Sequence, residues 1–354
     1  MIPSFDSTIV NRSSFAYYRC PRCKSGRLKS LGRSPNYLSI ELPIDFLVSR
    51  SGCKNCGLVF LNPQPSASSL ASLYDQWHLS YDNSRSSLPD HLRSRTNEFK
   101  SSHLKLINKH QVCSTSLLDI GCGNGDFLEV TATCHNWKLT GVDISKEAIA
   151  VAKNKIPSAD LFCGQIIDIS NSLGSYDIIT MNDYLEHSQD PFAELDLIAQ
   201  SLLNKGGIVF LRVPNQGGIL SLIMRRYWYA IIPFHLWYFT PSFLTEELES
   251  RGLEIIYCSA PGYINYFTYL AGMLKYAFAK SISVTLKACY SRNCKMITVP
   301  SSTESGNTGR IYPRLYKTMI SCLKFIVGVL LTQIEFIAGL FGKGSDLTII
   351  ARRS

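Results

Sequence analysis

The first residues of this chain, Met-Ile-Pro-Ser-Phe-Asp, lack the basic segment and the apolar run of a secretion signal. Acidic residues are scarce at the other end of the sequence: residues 264–354 contain 3 of them and 12 basic residues, whereas residues 1–263 contain 24 of each. The whole net charge of +9 on the 354 residues therefore lies in the last quarter. The missing secretion signal predicts a cytoplasmic protein. The scarcity of acidic residues predicts that residues 264–354 would contact any anionic surface that the protein binds.

The twelve cysteines do not have the pattern of a disulfide-rich protein, because most stand singly inside apolar runs. We expect Cys134, Cys163 and Cys258 to be small buried hydrophobic residues in a reducing compartment. Two pairs are different. Cys20-Pro-Arg-Cys23 and Cys53-Lys-Asn-Cys56 are separated by 29 residues, a pattern that suits four thiolates around a tetrahedral Zn²⁺. The alternatives are two disulfides or a redox pair.

A glycine-rich turn follows a short apolar strand at Leu-Leu-Asp119-Ile-Gly121-Cys-Gly123-Asn-Gly125-Asp126-Phe. Glycines allow the backbone to turn sharply and to approach a ligand. Asp143, at the end of the next predicted strand, is placed to bind the two hydroxyls of a ribose. The spacing differs from the Gly-x-Gly-x-x-Gly of dinucleotide sites, and the Asp126 carboxylate would repel phosphate. The pattern favours an adenosine cofactor that carries an amino group and a sulfonium.

The segment resembles motif I of the class I S-adenosylmethionine-dependent methyltransferases. Further segments extend the resemblance over about residues 95 to 262: Tyr176-Asp-Ile-Ile-Thr-Met-Asn182-Asp-Tyr-Leu-Glu186-His187-Ser-Gln-Asp190-Pro191, Lys205-Gly-Gly-Ile-Val-Phe-Leu-Arg-Val-Pro-Asn215, and Phe234-His235-Leu-Trp-Tyr-Phe-Thr240 with the helix and strand after it. Together they resemble the branch that contains ubiquinone-pathway O-methyltransferases and sugar methyltransferases. The cysteine pairs and the prolines after them resemble zinc modules found ahead of some sugar methyltransferase domains.

The resemblance implies an α/β fold with a seven-stranded Rossmann-like methyltransferase sheet of order 3-2-1-4-5-7-6, preceded by an N-terminal zinc ribbon. The predicted units are a zinc-ribbon module (1–65), a helical covering linker (66–110), the methyltransferase domain (111–262 and 343–354), and an apolar helical hairpin (263–342) inserted between strands six and seven. Tyr74, Trp77 and Tyr81 of the linker are candidates for contact with adenine or the substrate, or for packing on the core. Asp346-Leu-Thr-Ile-Ile-Ala-Arg-Arg resembles the seventh strand.

The same resemblance assigns roles to individual residues. Asp119, Gly121, Cys122, Gly123 and Gly125 would hold the amino acid end of S-adenosylmethionine, Asp143 its ribose, and Ile144, Gln165 and Ile166 its adenine, with Asn182 at the methionine part. Structural zinc would be held by Cys20, Cys23, Cys53 and Cys56. A hydroxyl or carbon acceptor requires a base, for which Glu186, His187 and His235 are the candidates. Alternatively, Glu186 and His187 brace the loop, and His235 packs under Trp237 and Tyr238.

In the insert, polar or small residues recur every three or four positions over 263–287 and 318–342, which predicts two helices with wide apolar faces. These helices could span a membrane, lie shallowly in its surface, or pack on the core or on a second copy. The surface hairpin is favoured, because lysines such as Lys275 and Lys324 would be costly at depth and would meet anionic headgroups at the surface.

These observations predict a methyltransferase that acts on a hydroxyl or carbon of a sugar, glycan or lipid-linked precursor at the cytoplasmic face of a membrane, with an anionic membrane surface as a second partner. One alternative is an RNA methyltransferase whose ribbon grips RNA. Nucleic acid is disfavoured, because residues 1–263 have no net charge and no Asn/Asp-Pro-Pro-Tyr/Phe follows the fourth strand. A non-catalytic scaffold with this fold is the other alternative.

Overall fold

The computed structural model describes residues 14–34, 48–70, 72–74, 90–111, 115–261, 330–331 and 333–354. The strands are β1 (Ser14–Phe15), β2 (Leu28–Arg33), β3 (Ser49–Cys53), β4 (Val59–Leu61), β5 (Gln64–Pro65), β6 (Ser116–Ile120), β7 (Lys138–Asp143), β8 (Asp160–Cys163), β9 (Tyr176–Asn182), β10 (Leu203–Pro214), β11 (Trp237–Tyr238), β12 (Leu253–Ser259) and β13 (Asp346–Arg353). The helices are α1 (Asp90–His110), α2 (Asp126–Cys134), α3 (Lys146–Lys155), α4 (Ile166–Ile169), α5 (Pro191–Leu197), α6 (Ile219–Met224) and α7 (Pro241–Glu249). Residues 67–70, 72–74, 330–331 and 333–340 are also helical.

A seven-stranded sheet in the order β8-β7-β6-β9-β10-β13-β12 forms the centre of the molecule. The strands from β8 to β10 are parallel, and β13 is antiparallel to both of its neighbours. In methyltransferase numbering this order is 3-2-1-4-5-7-6, so the predicted fold is confirmed. Strands β9, β10 and β13 are apolar runs that are buried along most of their length, as a sheet covered on both faces requires.

Three of the covering helices begin at side-chain caps. The Ser145 hydroxyl accepts a hydrogen bond from the backbone N–H of Ala148 and begins α3. Asp190 and Thr240 begin α5 and α7 in the same way, and each is followed by a proline at the start of the helix. These caps fix where the turns after the strands end. They therefore help to position the loops at the carboxyl ends of the strands.

The amino-terminal module shares a sheet with the methyltransferase unit. Strands β2, β3 and β4 are antiparallel neighbours, and β11 is the fourth strand of their sheet, with Trp237 opposite Phe60. Both aromatic side chains are buried, with ring centroids 6.3 Å apart. The predicted boundary at residue 65 stays a prediction. Residues on its two sides belong to one hydrophobic core.

The prediction that Cys134, Cys163 and Cys258 are buried is wrong, since all three are exposed. Each stands where an element leaves the core: Cys134 is the last residue of α2, Cys163 ends the edge strand β8, and Cys258 lies on the edge strand β12. None of the eight cysteines in the described part of the chain forms a disulfide.

Most of the predicted hairpin at 263–342 lies outside the described residues, and so do Trp77 and Tyr81 of the linker. Residues 333–340 form the helix that leads into β13, and its Glu335 carboxylate is buried and accepts a hydrogen bond from the backbone N–H of Ser345. Within the described ranges, no helix has both the length and the apolar character needed to cross a membrane.

Candidate active site

The turn after β6 requires glycine for a different reason at each of its three positions. Gly121, Gly123 and Gly125 have φ angles of +76°, +51° and +74°, a region that side chains disfavour. A Cβ at Gly121 would lie 2.4 Å from a ring carbon of Tyr184, and one at Gly125 would lie 2.9 Å from the Cβ of Ala152. A Cβ at Gly123 would meet nothing within 4 Å. Gly123 therefore faces open space, where a ligand can approach the backbone.

The carboxylate of Asp143 joins the two turns that border this space. Its Oδ2 accepts a hydrogen bond from the Gly123 N–H at 2.8 Å, and its Oδ1 accepts one from the Ser145 N–H at 2.9 Å. Each carboxylate oxygen has a second lone pair, so the group can still accept two hydroxyl hydrogen bonds. The neighbouring Ile144 is 58% exposed, which is high for so large an apolar side chain. Both residues are available where the ribose and adenine contacts are predicted.

Asp119 and Asn182 end the adjacent strands β6 and β9. Asp119 is buried and its Oδ1 accepts a 2.6 Å hydrogen bond from the Thr180 hydroxyl. Burial raises the pKa of Asp119 to about 7, although the Thr180 hydrogen bond and the charge of Lys100 oppose the rise. The side-chain amide atoms of Asn182 are buried without a well-formed hydrogen bond to a described residue, although the amide lies close enough to Asp119 and His103 to oppose the rise in the pKa of Asp119 and the fall in the pKa of His103. Such an amide is costly unless something binds it.

These observations fit S-adenosylmethionine: open space at Gly123, a carboxylate with spare lone pairs, and a buried amide without a well-formed hydrogen bond. The other predicted contacts are less direct. The side chains of Cys122 and Ile166 are buried in the core, so only their backbones are available to a ligand. Gln165 precedes α4 and is part-exposed. The individual cofactor contacts remain predictions.

Asp126 does not act as the isolated negative charge that the sequence suggested. It forms ion pairs with Lys100, at 2.8 Å, and with Lys155. The two lysines come from α1 and from the end of α3, so the sequence near Asp126 does not predict these ion pairs. The two lysines offset the charge of this carboxylate, so the charge of Asp126 alone does not decide which ligand binds. Asp126 instead ties three helices together.

Two tyrosines lie at the loop after β9: Tyr184 belongs to this loop, and Tyr74 packs against it. Tyr184 covers Gly121, and its hydroxyl donates a 3.1 Å hydrogen bond to Glu194 Oε1. The Tyr74 ring lies 5.9 Å from the ring of His187, centroid to centroid. Burial raises the pKa of Tyr74 well above its ordinary value, and the nearby carboxylates of Glu186 and Asp143 add to the effect. Tyr74 thus lies between the predicted cofactor site and the predicted base.

The three candidate bases come together although they stand far apart in the sequence. Glu186 and His187 belong to a short turn after β9, and His235 lies in the segment before β11. The rings of His187 and His235 meet edge to face with centroids 4.6 Å apart. His187 Nε2 lies 3.7 Å from Glu186 Oε1. The structure therefore brings the three candidate bases into one group, and the role of each stays a prediction.

The hydrogen bonds of the two imidazoles fix their tautomers. His187 Nδ1 lies 3.0 Å from the Phe234 carbonyl oxygen, and His235 Nδ1 lies 2.8 Å from that of Ala230. A carbonyl can only accept, so both Nδ1 atoms carry the hydrogen and a neutral ring keeps its lone pair on Nε2. Burial lowers the pKa of His187 to about 4 and that of His235 well below its ordinary value. Both rings are therefore neutral at pH 7.

Arg212 is an important residue that the sequence reading missed. It lies in β10, is buried, and donates from Nη2 to Asp346 Oδ2 at 2.7 Å and from Nη1 to Asp183. Asp183 begins the loop that carries Glu186 and His187, and its φ is +51°. The available signal was a charge inside the apolar run of β10 and an acidic residue at the start of β13. Arg212 links this loop to the last strand.

The four predicted zinc ligands also come together. Cys20 and Cys56 have their sulfurs 3.6 Å apart, as do Cys23 and Cys53, and all four sulfurs lie within 4.8 Å of one another. A disulfide would require about 2.05 Å, whereas two thiolates about 2.3 Å from one tetrahedral ion are roughly 3.8 Å apart. Asn55 donates from its backbone and side chain to the Cys53 and Cys23 sulfurs. The donor set fits Zn²⁺.

The fold and this site define an α/β methyltransferase with a cysteine-rich amino-terminal module. A family model described as "Methyltransferase domain" matches residues 59–257, and the chain belongs to that family. Residues 59–257 therefore form a domain of the methyltransferase family.

Among curated proteins, the chain is 31% identical over 151 residues to the ubiquinone biosynthesis O-methyltransferase of Coxiella burnetii, strain RSA 331 / Henzerling II, covering 40% of this chain and 64% of that protein. It is 27% identical over 188 residues to the enzyme of the same name from Chromobacterium violaceum, covering 48% and 80%. The chain thus spans less than two thirds of the Coxiella protein. A solved SAM-dependent methyltransferase from Archaeoglobus fulgidus is 20% identical, with coverages of 73% and 94% and a TM-score of 0.44.

Proposed function

We propose that this methyltransferase transfers the methyl group to a hydroxyl of a small acceptor that binds beside His187 and His235. The observation that carries the proposal is the pair of neutral, largely buried imidazoles whose Nδ1–H groups face backbone carbonyls and whose Nε2 lone pairs are left available. A hydroxyl is a weak nucleophile and requires a base, whereas a neutral imidazole can accept its proton. The name of the curated relatives, which are O-methyltransferases, agrees with an oxygen acceptor.

One group of residues would bind the cofactor, and another would bind and deprotonate the acceptor. Asp119, Asp143 and Asn182 would hold the cofactor, which supplies an activated methyl on a sulfonium. On the other side, His187 or His235 would accept the acceptor's proton at Nε2 as the new O–CH₃ bond forms and the S–CH₃ bond breaks. Much of the catalysis would be positioning of the two reactants. An acidic carbon is the second acceptor that the same base would serve.

As the narrower proposal, the acceptor is a sugar, a glycan or a lipid-linked precursor processed at a membrane face. Its support is the ribbon ahead of the domain, which resembles modules of sugar methyltransferases, and the basic, apolar insert. The membrane part depends on residues outside the described ranges. It requires its own test.

The test is to incubate the purified protein with the cofactor and three acceptor sets: nucleotide-linked and free sugars, polyprenyl-phosphate-linked sugars, and RNA. S-adenosylhomocysteine release and the mass of the product identify the acceptor. His187→Gln and His235→Gln should each lower the rate by about 100-fold or more if that residue is the base. His135→Gln is the control, because His135 stacks on Trp137, away from the site. Methylation of RNA alone would contradict the proposal, and cofactor binding without turnover on any hydroxylated acceptor would indicate a scaffold.

A further inference from the structure

We infer that Glu186, His187 and His235 bind a divalent first-row transition-metal ion through one carboxylate oxygen and two imidazole nitrogens. One ligand atom from each side chain can be chosen so that all three lie within 4.8 Å of one another. The group is separate from the four cysteines. It combines a turn after β9 with the segment before β11, so the fold itself brings the ligands together.

The surroundings of the two imidazoles are those of metal ligands. A ligating histidine usually donates its second ring N–H to a carbonyl or carboxylate, which fixes the tautomer and the orientation of the ring. Here both Nδ1 atoms donate to backbone carbonyls, of Phe234 and Ala230. The Nε2 atoms are left as the only possible ligand atoms. Both rings are part-exposed, so an ion can reach them.

Glu186 supplies the second, independent observation. Glu186 is 1% exposed, and no other residue in the described part of the chain donates a hydrogen bond to either carboxylate oxygen. Its nearest basic group is His187 Nε2, at 3.7 Å from Oε1. A buried carboxyl without partners is costly, and a cation bound by Glu186 would remove that cost.

The ligand set selects the kind of ion. Two imidazole nitrogens and one carboxylate suit Zn²⁺, Mn²⁺, Fe²⁺ or Co²⁺, whereas Mg²⁺ and Ca²⁺ prefer oxygen ligands. Two ligand atoms about 2.1 Å from one ion are roughly 3.0 to 3.4 Å apart, so the 3.7 Å between Glu186 and His187 needs only a small contraction. Three protein ligands leave coordination positions open.

The role of the ion, unlike its binding, rests on the proposed function. An acceptor hydroxyl in an open position would lose its proton to water more readily, because a bound cation stabilises the oxyanion. That oxygen would then take the methyl group as the S–CH₃ bond breaks. With the ion bound, both histidines are ligands and the proton of the hydroxyl passes to water, so the histidine base of the proposed function applies to the chain without the ion.

Titration with Mn²⁺ followed by electron paramagnetic resonance tests the site, because Mn²⁺ prefers oxygen and nitrogen ligands to the thiolates of the cysteine cluster. The full chain should bind one Mn²⁺, and pulsed measurements should show coupling to two imidazole nitrogens. Glu186→Gln and His235→Gln should each weaken binding by about tenfold or more. His135→Gln should bind as the wild type does.

The spectrum of the wild type decides the question even if a variant does not fold. A chain that binds no Mn²⁺ or Zn²⁺ beyond the ion on the cysteines would overturn the inference, and so would a bound Mn²⁺ without imidazole coupling. The proposed function is measured separately, through cofactor binding by calorimetry and methyl transfer. If chelation leaves the rate of methyl transfer unchanged, the ion has no role in the reaction. The proposal of a hydroxyl acceptor would then stand with a histidine as the base.

Discussion

Asp143 holds together the two turns that border the open space at Gly123, and it is the predicted ribose ligand. We predict that Asp143→Ala weakens cofactor binding by about 1.5 to 3 kcal/mol, the usual loss for hydrogen bonds to a charged acceptor. Isothermal calorimetry measures the change. Asp160→Ala is the matched control, because Asp160 is exposed and its ion-pair partner among the described residues is Lys138, at 3.5 Å. An unchanged affinity in Asp143→Ala would remove Asp143 from the ribose site.

The buried carboxyl of Asp119 should make stability depend on pH. Burial raises its pKa from 3.8 to about 7, so the folded protein keeps a proton that the unfolded chain releases. The free energy of unfolding therefore falls as pH rises between these values, by on the order of 2 to 4 kcal/mol from this group. Asp119→Asn should lose this contribution, and urea unfolding at pH 5 and pH 8 measures it. The exposed Asp168→Asn is the control. Equal slopes for Asp119→Asn and the wild type would contradict the prediction.

Single residues were predictable where their chemistry depends on local sequence. Gly121, Gly123, Gly125, Asp143 and the four cysteines stand in short patterns that fix their geometry. The partners of Asp126 and Arg212 come from distant parts of the chain, so neighbouring residues carry no sign of them. The contact of Tyr184 with Gly121 could not be predicted either, because it depends on the path of the loop after β9.

At the scale of elements, the cysteine module and the acceptor side are coupled through the β4–β11 pair. The Leu61 N–H also donates to the Leu236 carbonyl, next to His235, at 2.8 Å. We predict about one Zn²⁺ per chain, lost in the double substitution Cys53→Ser and Cys56→Ser. Amide exchange should then rise in residues 234–240, while calorimetry shows cofactor binding retained.

The matched control is the double substitution Cys134→Ser and Cys163→Ser, since these cysteines are exposed and outside the cluster. A fully folded wild-type protein without metal would show that the four cysteines have another role. Unchanged exchange at 234–240 after zinc loss would show that β11 holds its position alone.

The insert at 263–342 is the element on which the membrane proposal depends. Binding to vesicles should rise with anionic lipid and fall with salt, because each basic residue near the surface adds roughly 1 kcal/mol. Replacing Lys275, Lys280 and Lys324 by Glu should abolish binding, whereas the same change at the exposed Lys54, Lys138 and Lys153 should not. Deletion of 264–329, which keeps the helix that leads into β13, should release the protein from membranes with cofactor binding retained. A full-length protein that ignores anionic vesicles would contradict the proposal.

The elements themselves were largely predictable, because apolar runs, caps and the glycine turn recur with the spacing of the family. The sequence did not predict that the cysteine module and the methyltransferase unit share a strand. Strand β11 has only two residues, Trp237 and Tyr238, which is too short to show a strand period. Its partner β4 lies more than 170 residues earlier, so the pairing is set by tertiary packing alone.

For the whole molecule, the position of β13 determines when the site can be completed during synthesis. This strand lies between β10 and β12, and its Asp346 holds Arg212, which in turn holds Asp183 at the start of the loop that carries Glu186 and His187. A nascent chain on the ribosome already contains the glycine turn, His187, His235 and the four cysteines of the cluster well before residue 346 emerges. It therefore passes through a stage with every candidate catalytic side chain present and the central sheet still open. Chaperones that bind exposed strand edges would meet the protein at this stage, and an arrest shortly before residue 346 would isolate it.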